Sequence, residues 1–260
     1  MSGENESWRL PVRRVNSERV SVVYRAVLAF ARAVIPLVSV RHWRNQHNIP
    51  RSGGALVVAN HLSNFDALAM GEYLIYAGRW PRYLGKSDIF HVPVLGWIAR
   101  KCRQIPVYRN TVRAKDALIA AQEALEAGDL VAMFPEGTIT ADPDGWPMTA
   151  RLGAAHLALT TGVPLIPVAQ SGTNLVLGQK RLELHRLFGT RKQVYIEAGD
   201  PIDLSPWAGR TDKEAQIEVT ELILDTLTEM VSEIRGVPAP EGRFDARVGG
   251  RVTPPQHPSL

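Results

Sequence analysis

The sequence places a histidine and an aspartate close together, directly after an apolar run. In NHLSNFD, at 60–66, four residues lie between His61 and Asp66, and the preceding run ALVVA is typical of a buried strand. A neutral imidazole removes a proton from a hydroxyl when a carboxylate fixes its tautomer and stabilises the imidazolium. His61 is therefore a candidate general base and Asp66 its partner. The same spacing, taken alone, also suits a histidine in a turn and an aspartate on a solvated helix.

A second polar motif, FPEGT at 134–138, also follows an apolar run. Pro135 restricts Phe134 to extended geometry and Gly137 permits a tight turn, so Glu136 is held rigidly. Its carboxylate can accept a hydrogen bond from a substrate hydroxyl or pair with an arginine. The sequence leaves both roles of Glu136 open.

Two cationic residues suit recognition of a phosphate group. The segment QIPVYR, at 104–109, ends in Arg109, and a guanidinium grips phosphate with two parallel hydrogen bonds. Lys86 in GKSDIF is a second candidate of this kind. The alternative for both is an ordinary solvated surface charge.

Several chemistries have no motif in the chain. There is no GxSxG and no cysteine beside a motif, so the attacking hydroxyl should come from a substrate. Neither HExxH nor CxxC occurs, and neither does GxGxxG or a Walker loop. We therefore expect no metal, no nucleotide chemistry and no cofactor. The single cysteine, Cys102, fits a structural thiol in a reducing compartment.

Strand-like runs alternate with helical stretches along most of the chain, which predicts an α/β fold with a mostly parallel sheet flanked by helices. A length of 260 residues suits one core. Open sheets of this type place their sites beyond the C-terminal strand ends, where His61, Arg109 and Glu136 are expected. We predict a main domain at 46–235, an arm at 1–45, and a disordered tail at 236–260 that is rich in Pro, Gly and Arg.

The basic excess lies in the N-terminal arm. Residues 1–50 carry eight arginines against three glutamates, a net charge of +5, whereas the whole chain carries +4. A helix near 20–40 would be amphipathic, with an apolar face of Val23, Val27, Phe30, Val34 and Leu37. It fits either an interfacial membrane helix or a helix packed on its own domain. Because no nucleic-acid-binding pattern occurs, we predict an anionic membrane surface as the partner and no nucleic acid.

Four motifs in order resemble the glycerophospholipid acyltransferase family, whose best-known member is 1-acylglycerol-3-phosphate acyltransferase. They are HxxxxD at 61–66, the segment ending in Arg109, FPEGT at 134–138, and a proline-containing apolar strand at 163–168. FPEGTITADPDGWPM is similar to the actinobacterial branch. In one departure from the family pattern, Ile139 stands where a basic residue often follows the third motif, and Arg151 is a candidate replacement.

The resemblance implies acyl transfer from acyl-CoA or acyl-acyl carrier protein to the free hydroxyl of a lysophospholipid, giving phosphatidate if the acceptor is 1-acylglycerol-3-phosphate. It implies phosphate binding by Arg109 and an acceptor site shaped by Glu136, Gly137 and Thr138. Loop amides near His61 or Gly137 are candidates to stabilise the oxyanion. The expected location is the cytoplasmic face of the cell membrane, as a peripheral enzyme. Another lysophospholipid or glycolipid acceptor, or a non-catalytic lipid-binding protein on the same scaffold, is the alternative.

Overall fold

The computed structural model describes residues 6–108, 114–179 and 181–253. Within them, seven strands form one sheet in the order β1-β7-β6-β2-β5-β3-β4. The strands are β1 (Ser39–Arg44), β2 (Ala55–Ala59), β3 (Pro81–Lys86), β4 (Ile105–Val107), β5 (Leu130–Met133), β6 (Leu165–Ser171) and β7 (Lys192–Ala198). A separate hairpin pairs β8 (Arg243–Asp245) with β9 (Gly250–Val252).

The helices are α1 (Val12–Val15), α2 (Val22–Val38), α3 (Asp66–Tyr76), α4 (Ser87–His91), α5 (Pro93–Lys101), α6 (Ala114–Glu126), α7 (Gly153–Thr161), α8 (Asn174–Leu177) and α9 (Lys213–Arg235). Short 3-10 turns occur at Ser7–Arg9, Gln46–Asn48, Leu184–Leu187 and Ser205–Trp207. Among the residues described, no helix combines the length and the hydropathy that crossing a bilayer requires.

The predicted α/β class with a mostly parallel sheet is confirmed. β2 pairs in parallel with β5 and β6, and β3 pairs in parallel with β4 and β5. β7 runs antiparallel to β6, and β1 runs parallel to β7. The C-terminal ends of β2 to β6 therefore share one edge of the sheet with the starts of β1 and β7. We call this edge the carboxyl edge.

Both faces of the sheet are covered, which explains why β2 is a continuous apolar run. Its residues Ala55, Val57 and Ala59 pack in the cluster that contains α2 and α3. Leu56 and Val58 pack in the cluster on the other face, which contains α6, α7 and α9.

The N-terminal segment belongs to the main domain, so the predicted boundary at 45 is wrong. α2 buries Tyr24, Leu28, Ala31 and Ile35, and the segment after it forms strand β1. Strand β1 escaped prediction because its sequence SVRHWR mixes charged residues among the apolar ones, as edge strands commonly do. Part of the predicted apolar face of α2 faces solvent, since Phe30 is 63% and Leu37 72% exposed.

The tail also differs from its prediction, because its described part, 236–253, is folded rather than disordered. Buried Arg243 on β8 pairs with Glu221 and Asp225 of α9. Gly249, in the turn between β8 and β9, has a positive φ of 73°, and Gly242, directly before β8, has a positive φ of 69°, a backbone conformation that glycine adopts readily. A composition rich in Pro, Gly and Arg predicts disorder, but in this tail the two glycines are at the turn and the start of a folded hairpin.

The fourth motif forms most of β6, an interior strand of the sheet, so its Pro167 lies in a strand that has neighbours on both sides. The carbonyl of Pro167 accepts a hydrogen bond from the N–H of Gly199, just beyond the end of β7. The N–H that proline lacks therefore lies where the ladder with β7 has ended, and the sheet tolerates the residue.

Candidate active site

His61 and Asp66 form a hydrogen-bonded pair at the carboxyl edge, between the end of β2 and the start of α3. Nδ1 of His61 lies 2.8 Å from Oδ2 of Asp66. Asp66 is fully buried, and the same oxygen accepts hydrogen bonds from the backbone N–H groups of Leu62 and Ser63. Because the carboxylate accepts a hydrogen bond from Nδ1–H, the proton stays on Nδ1 and Nε2 is left as the basic nitrogen. The predicted pairing of the first motif is present.

Glu136 of the third motif accepts hydrogen bonds that hold the first motif in place. Its carboxylate oxygens accept hydrogen bonds from the backbone N–H of His61 at 2.9 Å and of Met148 at 3.2 Å. Glu136 is only 5% exposed, so the structure gives it a positioning role rather than the open substrate contact that the sequence allowed. The sequence also allowed Glu136 to pair with an arginine; Arg109, the candidate for that role, lies outside the described residues.

The pKa of Glu136 follows from this buried position. Burial, and to a smaller extent the nearby charge of Asp66, raise it to about 8. The backbone N–H groups of His61 and Met148 and the hydroxyl of Thr140 oppose the shift, because they stabilise the carboxylate.

Two further contacts fix the imidazole and its loop. The ring of Phe134 stacks on His61 with centroids 4.0 Å apart and planes at 12°. Asn60 exchanges buried hydrogen bonds with Gln170, linking the end of β2 to β6 at distances of 2.7 to 3.0 Å. Sequence reasoning missed Asn60 and Gln170, although the Asn directly before His61 was a visible signal.

A largely apolar cavity of about 900 Å³ extends from His61 between the sheet and helices α2, α3 and α5. Its volume is at the upper end of the range typical of ligand pockets. Cys102 lines it, and burial raises the pKa of that thiol to about 11, which fits the predicted structural role. Representative apolar lining residues are Val27, Leu68, Ile75, Leu84, Ile98 and Met133.

Four of the predicted substrate-binding residues line the same cavity as His61: Lys86, Gly137, Thr138 and Arg151. Gly137 has φ 72°, and a Cβ built on it would lie 3.3 Å from Nε of Arg151, so this guanidinium group lies directly over the third motif. Lys86 forms an ion pair with Asp88 and remains about half exposed. The structure therefore supplies cations at the cavity near the third motif and near the end of β3.

The loop amides considered for the oxyanion are already occupied. The N–H of His61 donates to Glu136, those of Leu62 and Ser63 donate to Asp66, and that of Gly137 donates to the carbonyl of Phe134 at 2.9 Å. The expectation for these four amides is wrong, because each is needed to hold the site itself. Asn64 and Thr138 also line the cavity and carry polar side chains.

The motifs, their geometry and the sheet agree with a comparison against known families. The family model described as Acyltransferase matches residues 40–171, about half of the chain. The chain belongs to the acyltransferase family. This finding confirms the resemblance to glycerophospholipid acyltransferases that the four motifs predicted.

Related proteins carry consistent names. The acyltransferase domain is 33% identical over 163 residues to a chloroplastic 1-acyl-sn-glycerol-3-phosphate acyltransferase of Brassica napus, covering 58% of this chain and 46% of that protein. It is 26% identical to the 1-acyl-sn-glycerol-3-phosphate acyltransferase of Haemophilus influenzae, covering 73% and 76% of the two chains. The chain thus spans less than half the length of the plant relative and about three quarters of the bacterial one.

A solved structure shares the fold. The crystal structure of the 1-acyl-sn-glycerophosphate acyltransferase PlsC from Thermotoga maritima matches with a TM-score of 0.64 and 24% identity, covering 83% of this chain and 81% of that one. The acyltransferase fold of this chain therefore extends well beyond the residues matched by the family model.

Proposed function

We propose that this protein transfers a fatty acyl group from an acyl thioester to the free hydroxyl of a lysophospholipid, with 1-acylglycerol-3-phosphate as the acceptor and phosphatidate as the product. The observation that carries the proposal is the His61–Asp66 pair beside an apolar cavity. The names of the Brassica and Haemophilus relatives support the choice of acceptor.

The reaction requires one base and no protein nucleophile. Nε2 of His61 takes the proton of the acceptor hydroxyl, and the hydroxyl oxygen attacks the thioester carbonyl carbon. The tetrahedral intermediate collapses, the carbon–sulfur bond breaks, and the thiolate takes the proton from the imidazolium. Asp66 stabilises the imidazolium between these steps, since its carboxylate lies 2.8 Å from Nδ1.

The cavity suits the apolar part of a lipid substrate, and its cations suit the phosphate. Its walls between α2, α3 and α5 are mostly aliphatic, so an acyl chain is removed from water when it binds there. Arg151 and Lys86 lie at the same cavity and attract an anionic head group. Arg109, two residues after the end of β4 in the sequence, is the third proposed phosphate ligand.

We also propose a peripheral location on the cytoplasmic face of an anionic membrane, where the acceptor and the product reside. Helix α2 exposes the apolar residues Phe30 and Leu37, and it also exposes the cationic residues Arg25 and Arg32. Phe30 and Leu37 are seven residues apart and share one side of the helix, and an apolar side on a helix that carries cationic side chains elsewhere is the pattern of an interfacial helix.

A thiol-release assay tests the proposed function. The protein is incubated with palmitoyl-CoA or palmitoyl-acyl carrier protein and a panel of acceptors: lysophosphatidate, lysophospholipids with larger head groups, and a glycolipid. We expect thiol release with lysophosphatidate and formation of phosphatidate by mass spectrometry. Release that requires a different acceptor would contradict the assigned substrate, and release with none of them would contradict the proposed class of reaction.

A further inference from the structure

The helical hairpin of α4 and α5 exposes an unusual number of large apolar side chains. Both helices are short, at Ser87–His91 and Pro93–Lys101, and Pro93 at the start of α5 separates them. Soluble proteins tolerate single exposed apolar residues, whereas a contiguous group marks an interaction surface. The exposed residues are Ile89, Val92, Val94, Leu95 and Trp97, each between 45% and 67% exposed.

This hairpin follows the C-terminal end of β3, so it stands at the carboxyl edge together with His61. Ile89 and Leu95 line the cavity as well as being exposed, whereas Val94 and Trp97 lie outside its lining. The apolar surface is therefore continuous from the inside of the cavity to the solvent.

Cationic side chains flank the apolar residues of the hairpin along the sequence, one before them and three after them, and the last of these, Arg103, pairs with Asp129 directly before β5. Residues 85–103 contain Lys86, Arg100, Lys101 and Arg103 against Asp88, a net charge of +3. All four cations are exposed. Anionic lipid attracts such side chains while apolar groups enter the boundary between head groups and acyl chains.

The connection between β6 and β7 repeats this combination at the same edge of the sheet. Leu182, Leu184 and Phe188 are between 55% and 79% exposed. Residues 181–192 carry three arginines and one lysine against one glutamate, again a net charge of +3. Because β6 ends and β7 begins at the carboxyl edge, this second apolar and basic segment lies at the same edge of the sheet as the start of the hairpin.

We infer that the α4–α5 hairpin is a membrane-docking element that inserts Val94 and Trp97 into the head-group region of an anionic bilayer. The inference rests on the proposed function, since it brings the mouth of the cavity to the lipid acceptor. It adds a contact that is separate from α2 and that lies beside the entrance to the site. The β6–β7 connection supports the same orientation of the sheet toward the membrane.

Vesicle binding tests the hairpin directly. The full chain is sedimented with phosphatidylcholine vesicles that contain or lack phosphatidylglycerol, and the double variant Val94→Ser, Trp97→Ser is compared with Val248→Ser. Val248 is a matched control because it is 70% exposed and Val94 67% exposed. We expect the double variant to lose about tenfold or more in affinity for anionic vesicles, because less apolar area enters the lipid, whereas the control keeps it.

Two further measurements locate the contact and its charge. Brominated lipid should quench a fluorescence component that is absent from Trp97→Phe. Lys101→Gln should reduce the salt sensitivity of binding, whereas Lys213→Gln, an exposed lysine at the start of α9, should not.

The outcomes separate this inference from the proposed function. Thiol release measured with a short-chain thioester and monomeric acceptor, in the absence of vesicles, should be the same in the double variant and the wild type. Unchanged vesicle binding by the double variant overturns the docking role, whatever the thiol-release assay shows.

Loss of a dimer in analytical ultracentrifugation, with vesicle binding intact, would assign the surface to a second copy and also overturn the docking role. Absence of thiol release in the wild-type protein would instead count against the proposed function.

Discussion

The carboxylate of Glu136 accepts a hydrogen bond from the backbone N–H of His61 at 2.9 Å, and through this bond the third motif holds the first in place. The buried carboxyl has a pKa of about 8 against an ordinary value of 4.5. A carboxyl group whose pKa is raised by folding contributes stability that is fully present below its unfolded-state pKa. This contribution is lost as the pH rises toward the folded-state pKa. The ionised carboxylate of Glu136 therefore holds His61 in place, but ionising this buried group lowers the stability of the folded protein.

We predict that Glu136→Gln becomes more stable relative to the wild type as the pH rises from 4.5 to 8. The slope should approach about 1.4 kcal/mol per pH unit, because glutamine does not titrate. Its activity should fall, since an amide offers one acceptor oxygen where two backbone N–H groups need one each. Urea unfolding across this pH range gives the difference, with exposed Glu229→Gln as the control. A pH-independent difference for Glu136→Gln would contradict the assignment.

Asp66→Asn should lower kcat by about a hundredfold to ten-thousandfold, because asparagine no longer stabilises the imidazolium. KM for the acceptor should change little, since Asp66 is buried and does not itself line the cavity. Steady-state kinetics give the two constants, and nitrogen NMR of the imidazole reports its tautomer. A variant with wild-type kcat would remove Asp66 from the mechanism.

Gly137→Ala should both strain the backbone and displace Arg151. A non-glycine residue in the left-handed region costs roughly 1–2 kcal/mol, and the new Cβ would lie 3.3 Å from Nε of Arg151. Gly209→Ala is the matched control, because Gly209 has φ 77° with open space around it. Both variants should lose similar stability, but only Gly137→Ala should raise KM for a phosphate-bearing acceptor. Equal KM values in the two variants would contradict a role of Arg151 in acceptor binding.

Arg79→Lys should destabilise the fold by about 3–5 kcal/mol, the range for breaking a buried ion pair. Arg79 is fully buried, and it donates to Glu18 and to the carbonyls of Pro50, Gly53 and Gly128. A lysine ammonium lacks the planar geometry to reach these acceptors together. Exposed Arg9→Lys should remain within about 0.5 kcal/mol of the wild type. Chemical denaturation of both variants measures the contrast, and equal stability would contradict this role of Arg79.

The parts of the site that could be predicted from sequence are those formed by nearby residues. His61 and Asp66 lie on one short turn, so their spacing alone allowed the hydrogen bond that the structure contains. The α/β class followed from alternating runs such as ALVVA, which only a sheet covered on both faces buries completely.

The parts that escaped prediction depend on distant residues. The carboxylate of Glu136 accepts a hydrogen bond from the backbone N–H of His61, which is 75 residues away in the sequence. Nothing in FPEGT specifies that partner. In the sequence, Arg79 resembles any surface arginine, and only the fold brings its four acceptors together from three separate segments. The folding of β8 and β9 likewise depends on Glu221 and Asp225 of α9, which pair with Arg243.

The most direct test of the account is thiol release from palmitoyl-CoA in the presence of lysophosphatidate, comparing the wild type with His61→Ala. If His61 is the general base, the variant should fold normally by circular dichroism and lose thiol release by about a hundredfold or more. Release at the wild-type rate by a folded His61→Ala protein would contradict the account.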